Sequence, residues 1–179
     1  MSNWSDYISN YLLASTQGET VYTNPCDRGA LIGNDGTVWA STEGFSCNTS
    51  QKIQLAQDDG STKEITINEV ENILDCTANK GRSTKPGGVY ICGEKFFSVG
   101  EPHVYGDESK HEIIVFLKSK SGGGAVGRTT AGNLVVATWN ASKKCTSTKD
   151  GKSTSFQQVG AYCNKAVENL TEFLSSNSL

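Results

Sequence analysis

The chain has 179 residues, which suits a single domain, 1–179, with a core of its own. Its formal net charge of −3 argues against general nucleic-acid binding, which needs a basic surface. No apolar run is long enough to span a membrane, and the N-terminus lacks the basic and apolar regions of a secretory signal, so we expect a cytoplasmic protein.

The N-terminal segment 3–14 has apolar residues at helical spacing, which predicts a helix capped by Ser2. A polar loop is predicted from there to about Arg28. The segment IGNDGTVWAS, 32–41, then predicts a β-hairpin, because its Asn-Asp-Gly turn tolerates the positive φ of a tight turn. Its tryptophan, Trp39, is either a core residue or part of a binding surface.

Residues 46–63 are polar and predict either a long loop or an inserted ribbon. Thr66 and Glu69 have the spacing of a capping box, which predicts the start of a short helix that continues through Leu74. A second long loop is predicted near 76–87.

Four strand-like segments follow: GVYIC, KFFSV, EIIVFLK and NLVVATW. Strands this close in sequence pair antiparallel, because parallel strands need a long crossover. The run GGGAVG, 122–127, matches a dinucleotide-binding pattern, but a strand and not a helix is predicted after it, so we expect a glycine-rich hairpin loop. A third long loop is predicted near 140–155, and an amphipathic helix over 156–176.

These elements predict an α+β fold, with a central antiparallel sheet between N- and C-terminal helices. The sequence has no nucleophile elbow, phosphate-binding loop or metalloprotease motif. We therefore predict a binding protein without a cofactor or metal, and not an enzyme.

The six cysteines show neither a CxxC pair nor a nearby histidine, a spacing that gives no zinc site. Free thiols are expected in a cytoplasmic protein. Cys163 flanks the apolar stripe of the last helix and is expected to be buried. Cys47 and Cys145 fall in polar segments and are expected to react fastest with thiol reagents.

Four aromatic residues, Trp4, Tyr7, Trp39 and Phe173, converge if the terminal helices lie side by side on one face of the sheet. Aromatic clusters of this kind bind proline-rich peptides, because a rigid polyproline II helix docks between rings with little loss of entropy. The alternative is that the rings only attach the helices to the sheet, and spacing alone leaves both interpretations open.

Several segments resemble the profilin family in order and in sequence: SNWSDYISNYLL, ALIGNDGTVWAST, ITINEVENIL, GGVYICGEKFFSV and LKSKSGGGAVG. With its long loops the chain is similar to the enlarged profilins of protists. The resemblance implies a six- to seven-stranded sheet with the terminal helices on one face. It also implies a cytoskeletal monomer that binds monomeric actin, proline-rich proteins such as formins, and phosphoinositides.

The resemblance also implies two sets of site residues. The polyproline-binding set is Trp4, Tyr7, Trp39, Phe173 and Leu179. The actin-binding set is Lys95, Lys118, Lys120, Asn164, Lys165 and Glu168. Animal profilins usually carry His and Tyr where this chain has Phe173 and Leu179, and Gly100 replaces a basic residue common in the family.

Lys118 and Lys120 alternate with one residue between them, so on a strand both point to the same face. The predicted 140–155 loop leads into the helix that carries Lys165 and either extends or obstructs the actin-binding surface. A second function class stays open, a profilin-shaped sensory or trafficking scaffold without actin binding. An internal apolar cavity or a symmetric dimer would distinguish that scaffold.

Overall fold

The computed structural model of the chain describes residues 3–105, 111–118 and 121–179. In these ranges the backbone forms fourteen strands, three α-helices and one π-helical turn. The helical segments are α1 (Trp4–Tyr7), the π-helical turn (Ile8–Leu12), α2 (Glu69–Ala78) and α3 (Gly160–Ser176). The strands are β1 (Ala14–Gln17), β2 (Thr20–Thr23), β3 (Arg28–Ile32), β4 (Val38–Ser41), β5 (Gln51–Ala56), β6 (Thr62–Ile67), β7 (Val89–Ile91), β8 (Glu94–Ser98), β9 (His103–Tyr105), β10 (His111–Lys118), β11 (Gly122–Arg128), β12 (Leu134–Asn140), β13 (Lys144–Lys149) and β14 (Lys152–Gln157).

The central sheet has the order β4-β3-β12-β11-β10-β8-β7, with β9 paired to β10, and all its pairings are antiparallel. Alternating side chains along its strands point to opposite faces. One face packs on the π-helical turn and α3 through buried residues such as Leu12 and Leu170, and the other packs on α2 through residues such as Ile73. The predicted α+β fold, with both terminal helices on one face, is therefore confirmed.

The N-terminal helix is shorter than predicted. It ends at Leu12, and the side chain of Asn3 caps α1 by accepting a hydrogen bond from the Ser5 N–H at 3.2 Å. The predicted cap, Ser2, lies outside the described residues. The predicted polar loop to Arg28 is wrong, because 14–23 forms the hairpin β1–β2, whose turn contains Gly18 at φ 62°.

The predicted loop at 140–155 is also wrong. It forms β13 and β14, which join the first hairpin in a second sheet of order β1-β2-β13-β14. Threonine and serine alternate here, and Asp150 and Gly151 make the tight turn with φ of 51° and 73°. Phe156 belongs to β14, so α3 begins at Gly160 and not at 156.

The segment 46–63 contains most of the ribbon β5–β6, which begins at Gln51 and ends at Ile67, so the second of the two predicted alternatives is the one that forms. The predicted capping box of Thr66 and Glu69 does not form. Instead Asn68 caps α2, and its side-chain oxygen accepts a hydrogen bond from the Glu71 N–H at 3.3 Å. Glu69 is fully buried instead, and its carboxylate accepts backbone hydrogen bonds from Asn48 at 3.0 Å and Gly93 at 2.6 Å. Helix α2 runs to Ala78, so the second loop starts later than predicted.

The run GGGAVG is not a hairpin loop but most of β11, a buried central strand. A β-carbon at Gly127 would lie 1.9 Å from the Thr171 hydroxyl oxygen of α3. A β-carbon at Gly123 would lie 2.8 Å from Nε1 of Trp139 on the neighbouring strand. Glycine is therefore needed at Gly127 because α3 lies too close to the strand for a side chain there, and at Gly123 because Trp139 does.

All six cysteines are free thiols. Cys163 is buried, as predicted, but the placement of Cys145 in a polar loop is wrong, because Cys145 lies in β13 and is only 1% exposed, and we no longer expect it to react fast. Alternation along β13 turns Cys145 to the interior while its neighbours stay accessible. None of the helices in the described ranges is long and apolar enough to cross a membrane.

Candidate functional site

Five aromatic rings form a continuous line on the face that carries the terminal helices. Successive ring centroids lie 4.7 Å apart for Trp39 and Trp4, 5.6 Å for Trp4 and Tyr7, 5.5 Å for Tyr7 and Phe173, and 5.3 Å for Phe173 and Tyr11. We call these five residues the aromatic row. Each ring is half-buried, so one side packs on the core while the other faces solvent.

Local structure positions each ring of the row. Trp4 and Tyr7 are three residues apart on α1 and share one helix face. Trp39 lies on β4 and covers Gly33, where a β-carbon would be 2.9 Å from its ring. Phe173 lies near the end of α3. The structure thus brings together the four aromatic residues that the sequence predicted, and Trp39 both packs on the core and contributes to an open surface.

Tyr11 completes the row, and the sequence analysis missed it as a site residue. It belongs to the π-helical turn, in which the Leu13 N–H donates to the Ile8 carbonyl at 3.0 Å. Such turns often occur at functional sites. Burial raises the pKa of Tyr11, and the nearby Tyr7 adds to this shift. The signal in the sequence was its position four residues after Tyr7, which fitted equally well a helix packed on the core.

Leu179, the fifth predicted polyproline residue, is half-buried and packs against the same core cluster as the row. Its N–H donates to the Leu174 carbonyl at 2.9 Å, which holds the C-terminal residue against the end of α3. Neither Leu179 nor Phe173 has a side-chain group that can donate a hydrogen bond.

The predicted actin-binding residues on α3 lie along one stretch of the helix. The Lys165 ammonium pairs with the Glu168 carboxylate at 2.6 Å, and Asn164 is next to them. The Tyr105 ring of β9 is close to this pair: burial raises the pKa of Tyr105, Glu168 raises it further, and Lys165 opposes the shift.

The remaining predicted actin-binding residues do not share one surface. Lys95 precedes the buried Phe96 on β8, and Phe96 points toward α2, so Lys95 points to the sheet face that carries α3, which we call the α3 face. There its ammonium donates to the Gly87 carbonyl. Burial lowers the pKa of Lys95. Lys118 lies on the opposite face, with its ammonium 2.6 Å from the Glu94 carboxylate. Lys120 lies outside the described residues.

Glu94 is shared between two basic residues. Its other carboxylate oxygen is 3.1 Å from the Arg28 guanidinium. Burial raises the pKa of Glu94, but the contacts with Lys118 and Arg28 outweigh burial and leave the pKa below its usual value. The charge of Lys118 is therefore largely balanced within the protein itself.

An exposed apolar patch lies on the α3 face and was also missed. Phe97 is 55% exposed and sits directly opposite Leu117, which is 48% exposed, while the neighbouring Val99 is 44% exposed. Contiguous apolar surface of this kind marks interaction sites. We call these three residues the apolar patch. The signal in the sequence was that KFFSV and EIIVFLK have apolar residues on both strand faces.

In the part of the chain that the structure describes, no three His, Cys, Asp or Glu residues come together in a group that could hold a metal ion.

The chain is similar to one known protein family over almost its whole length: the family model described as Profilin matches residues 2–179. A profilin of Strongylocentrotus purpuratus is 26% identical over 95 residues, which cover 52% of this chain and 57% of that protein. The alignment thus spans little more than half of this curated relative.

Proposed function

Because the chain belongs to the profilin family of actin-binding proteins, we propose that it binds monomeric actin and proline-rich segments of actin-assembly factors such as formins, and so regulates actin polymerisation. The observation that carries this proposal is the aromatic row, which leaves five half-buried rings open on one surface. Phosphoinositide binding, a monomeric state and a cytoplasmic, cytoskeletal location stay predictions from the family.

The aromatic row suits a polyproline II ligand in shape and chemistry. Such a helix forms no internal hydrogen bonds, so its carbonyl groups accept bonds from a partner. The indole N–H groups of Trp4 and Trp39 and the hydroxyl groups of Tyr7 and Tyr11 are donors of the required kind. Ring faces in between supply apolar contact, the mode by which aromatic grooves recognise proline-rich segments.

The actin-binding surface that we propose is the α3 face around Asn164, Lys165 and Glu168, with Lys95 and the apolar patch. Charged residues beside exposed apolar ones are typical of protein interfaces, where the charges guide association and the apolar contacts supply binding energy. Lys165 and Phe173 are eight residues apart on α3, about 12 Å along the helix axis, so the two ligands would contact different parts of this helix.

One pair of titrations tests the proposal. The chain is titrated with monomeric actin carrying a fluorescent label, and separately with a decaproline peptide while tryptophan fluorescence is recorded. We expect saturable changes in both, and none with a glycine-serine peptide of equal length. Absence of both responses would favour the scaffold without actin binding.

Matched variants locate the peptide response. We expect Trp4→Ala to remove most of it, because Trp4 contacts two other rings of the row. Phe156→Ala is the control, since this half-buried ring packs on Tyr162 of α3 and is no member of the row. Equal losses in both variants would contradict binding at the row.

A further inference from the structure

The aromatic row leads into a polar hollow at its Tyr11 end. This hollow has a volume of about 350 Å³ and lies between the π-helical turn, β1 and α3. Its lining residues are Asn10, Tyr11, Ser15, Thr16 and Asn169. We call it the polar pocket. Tyr11 belongs to both the row and the pocket, so a peptide that follows the row past Phe173 reaches the pocket.

Helix α3 supports the same continuity. Asn169 is four residues before Phe173, so the two side chains lie on one helix face one turn apart. The Asn169 amide donates to the Thr16 carbonyl at 3.3 Å, which fixes the side chain at the rim of the pocket. Its amide oxygen is an acceptor, and the Tyr11 hydroxyl is both a donor and an acceptor.

The lining defines what the pocket can hold. None of its five residues carries a charge, but all five have side chains that form hydrogen bonds. Ser15 is buried and its hydroxyl already accepts from the Gln17 amide at 3.3 Å, which leaves the rim residues to meet a ligand. A charged side chain would lose hydration without an opposite charge, and an apolar one would leave polar groups unpaired.

We propose that the polar pocket is a subsite for an uncharged, hydrogen-bonding side chain, such as glutamine or asparagine, on the residue that flanks the proline segment of the partner. The volume is at the lower end for a ligand pocket and is large enough to admit one side chain. The subsite rests on the proposed polyproline binding. It selects among proline-rich partners by the residue beside the prolines.

Flanked peptides test the subsite. Decaproline is compared with decaproline carrying one glutamine, one leucine or one glutamate, at the N-terminal end in one series and at the C-terminal end in another. We expect glutamine at one end to tighten binding about two- to tenfold over leucine, which is the effect of one or two hydrogen bonds. Glutamate at that end should give no gain over leucine.

Variants connect that preference to the pocket. Asn169→Ala should remove the glutamine preference and leave the affinity for plain decaproline within about twofold. Gln54→Ala is the control, because it removes an exposed amide on the ribbon β5–β6 and should leave the preference intact. A preference that persists in Asn169→Ala, or no preference in the unmodified chain, overturns the subsite.

The outcome also separates the two proposals. If plain decaproline binds and the flanking residue has no effect, the subsite fails and polyproline binding stands. If neither plain nor flanked peptide binds the unmodified chain, both fail. Urea denaturation of Asn169→Ala checks that the variant is folded, and Asn169→Gln, which keeps the amide, should retain part of the preference.

Discussion

Gly127 of β11 and Thr171 of α3 touch so closely that a β-carbon on the glycine would lie 1.9 Å from the threonine hydroxyl oxygen. That hydroxyl donates to the Val167 carbonyl at 2.7 Å, so it cannot turn away without losing a buried hydrogen bond. We expect Gly127→Ala to lower the free energy of unfolding by about 1–3 kcal/mol, the usual effect of overpacking a core. Urea denaturation measures the change.

A second substitution identifies the cause. Thr171→Ala removes the hydroxyl but leaves a β-carbon 2.9 Å from the added methyl group, so the double variant should recover part of the loss. If Gly127→Ala unfolds at the same urea concentration as the unmodified chain, close approach of α3 is not what requires glycine at this position.

Substitution of Leu179, the last residue of the predicted polyproline-binding set, should raise the affinity for a proline peptide. Leu179→Tyr adds a hydroxyl beside the aromatic row, and one new hydrogen bond to a peptide carbonyl contributes about 0.5–1.5 kcal/mol of binding free energy. We expect decaproline to bind correspondingly tighter, as measured by tryptophan fluorescence. Leu179→Phe, which adds the ring without the hydroxyl, is the control, and equal gains in the two variants would exclude the hydrogen bond.

Charge reversal distinguishes the two groups of predicted actin-binding residues. We expect Lys165→Glu to weaken actin binding by about 1–3 kcal/mol, because Lys165 is exposed on α3 and its reversal adds like charge beside Glu168 and toward an acidic partner. Lys118→Glu should have a smaller effect, since Lys118 is paired with Glu94 on the opposite face. Titration with labelled actin at two salt concentrations measures both.

The control for this comparison is Lys52→Glu on the ribbon, where an exposed pair with Glu64 is broken far along the chain from α3. A larger effect for Lys118→Glu than for Lys165→Glu would shift the interface toward the α2 face.

The thiols should react in an order set by burial and pKa. Burial raises the pKa of Cys47 to about 12, with the nearby Glu69 adding to it. Burial also raises the pKa of Cys92, but the Ser46 N–H and Arg28 oppose the shift. Because the thiolate is the reactive form, Cys92 should react before Cys47 at pH 8 with a disulfide reagent.

The pH dependence has a defined sign. Below its pKa, the thiolate fraction of Cys47 rises about tenfold per pH unit, so its rate should still be increasing between pH 8 and 10. All six thiols should react in denaturant without reductant. Recovery of four or fewer would show a disulfide, and labelling of Cys145 before Cys92 would show that the Cys145 side chain is not buried.

The fold was predicted best where residues carry a strong apolar pattern. Strands β10 and β12 are recognisable because each contains a continuous run of apolar residues, and helix α3 because its buried residues recur at helical spacing. The strands of the second sheet are composed mainly of threonine, serine and lysine, which the same criterion assigns to loops. The pairing that joins its two hairpins links residues more than 120 apart, such as Tyr22 and Ser147, and local sequence does not indicate it.

The candidate site shows the same division. Trp4 and Tyr7 were predicted from helical spacing together with the family resemblance. Tyr11 was missed as a site residue because its position four residues after Tyr7 fitted a helix packed on the core equally well, and this spacing does not indicate the π-helical turn. Phe97 and Leu117 were missed because an apolar residue on a strand predicts burial unless one knows that the covering helix ends short of it.

The second sheet and the aromatic row both join the first residues of the chain to the last ones, and this has a consequence for synthesis. Trp4 gains its contact with Tyr7 at once, but the contact of Tyr7 with Phe173 must wait for 173 to be translated. At typical elongation rates that delay is roughly 10–30 s, in which Tyr7 and Tyr11 lack the Phe173 ring that they contact in the folded chain. A nascent chain of this protein therefore exposes these two tyrosine rings to chaperones until α3 has been made and they can pack against it.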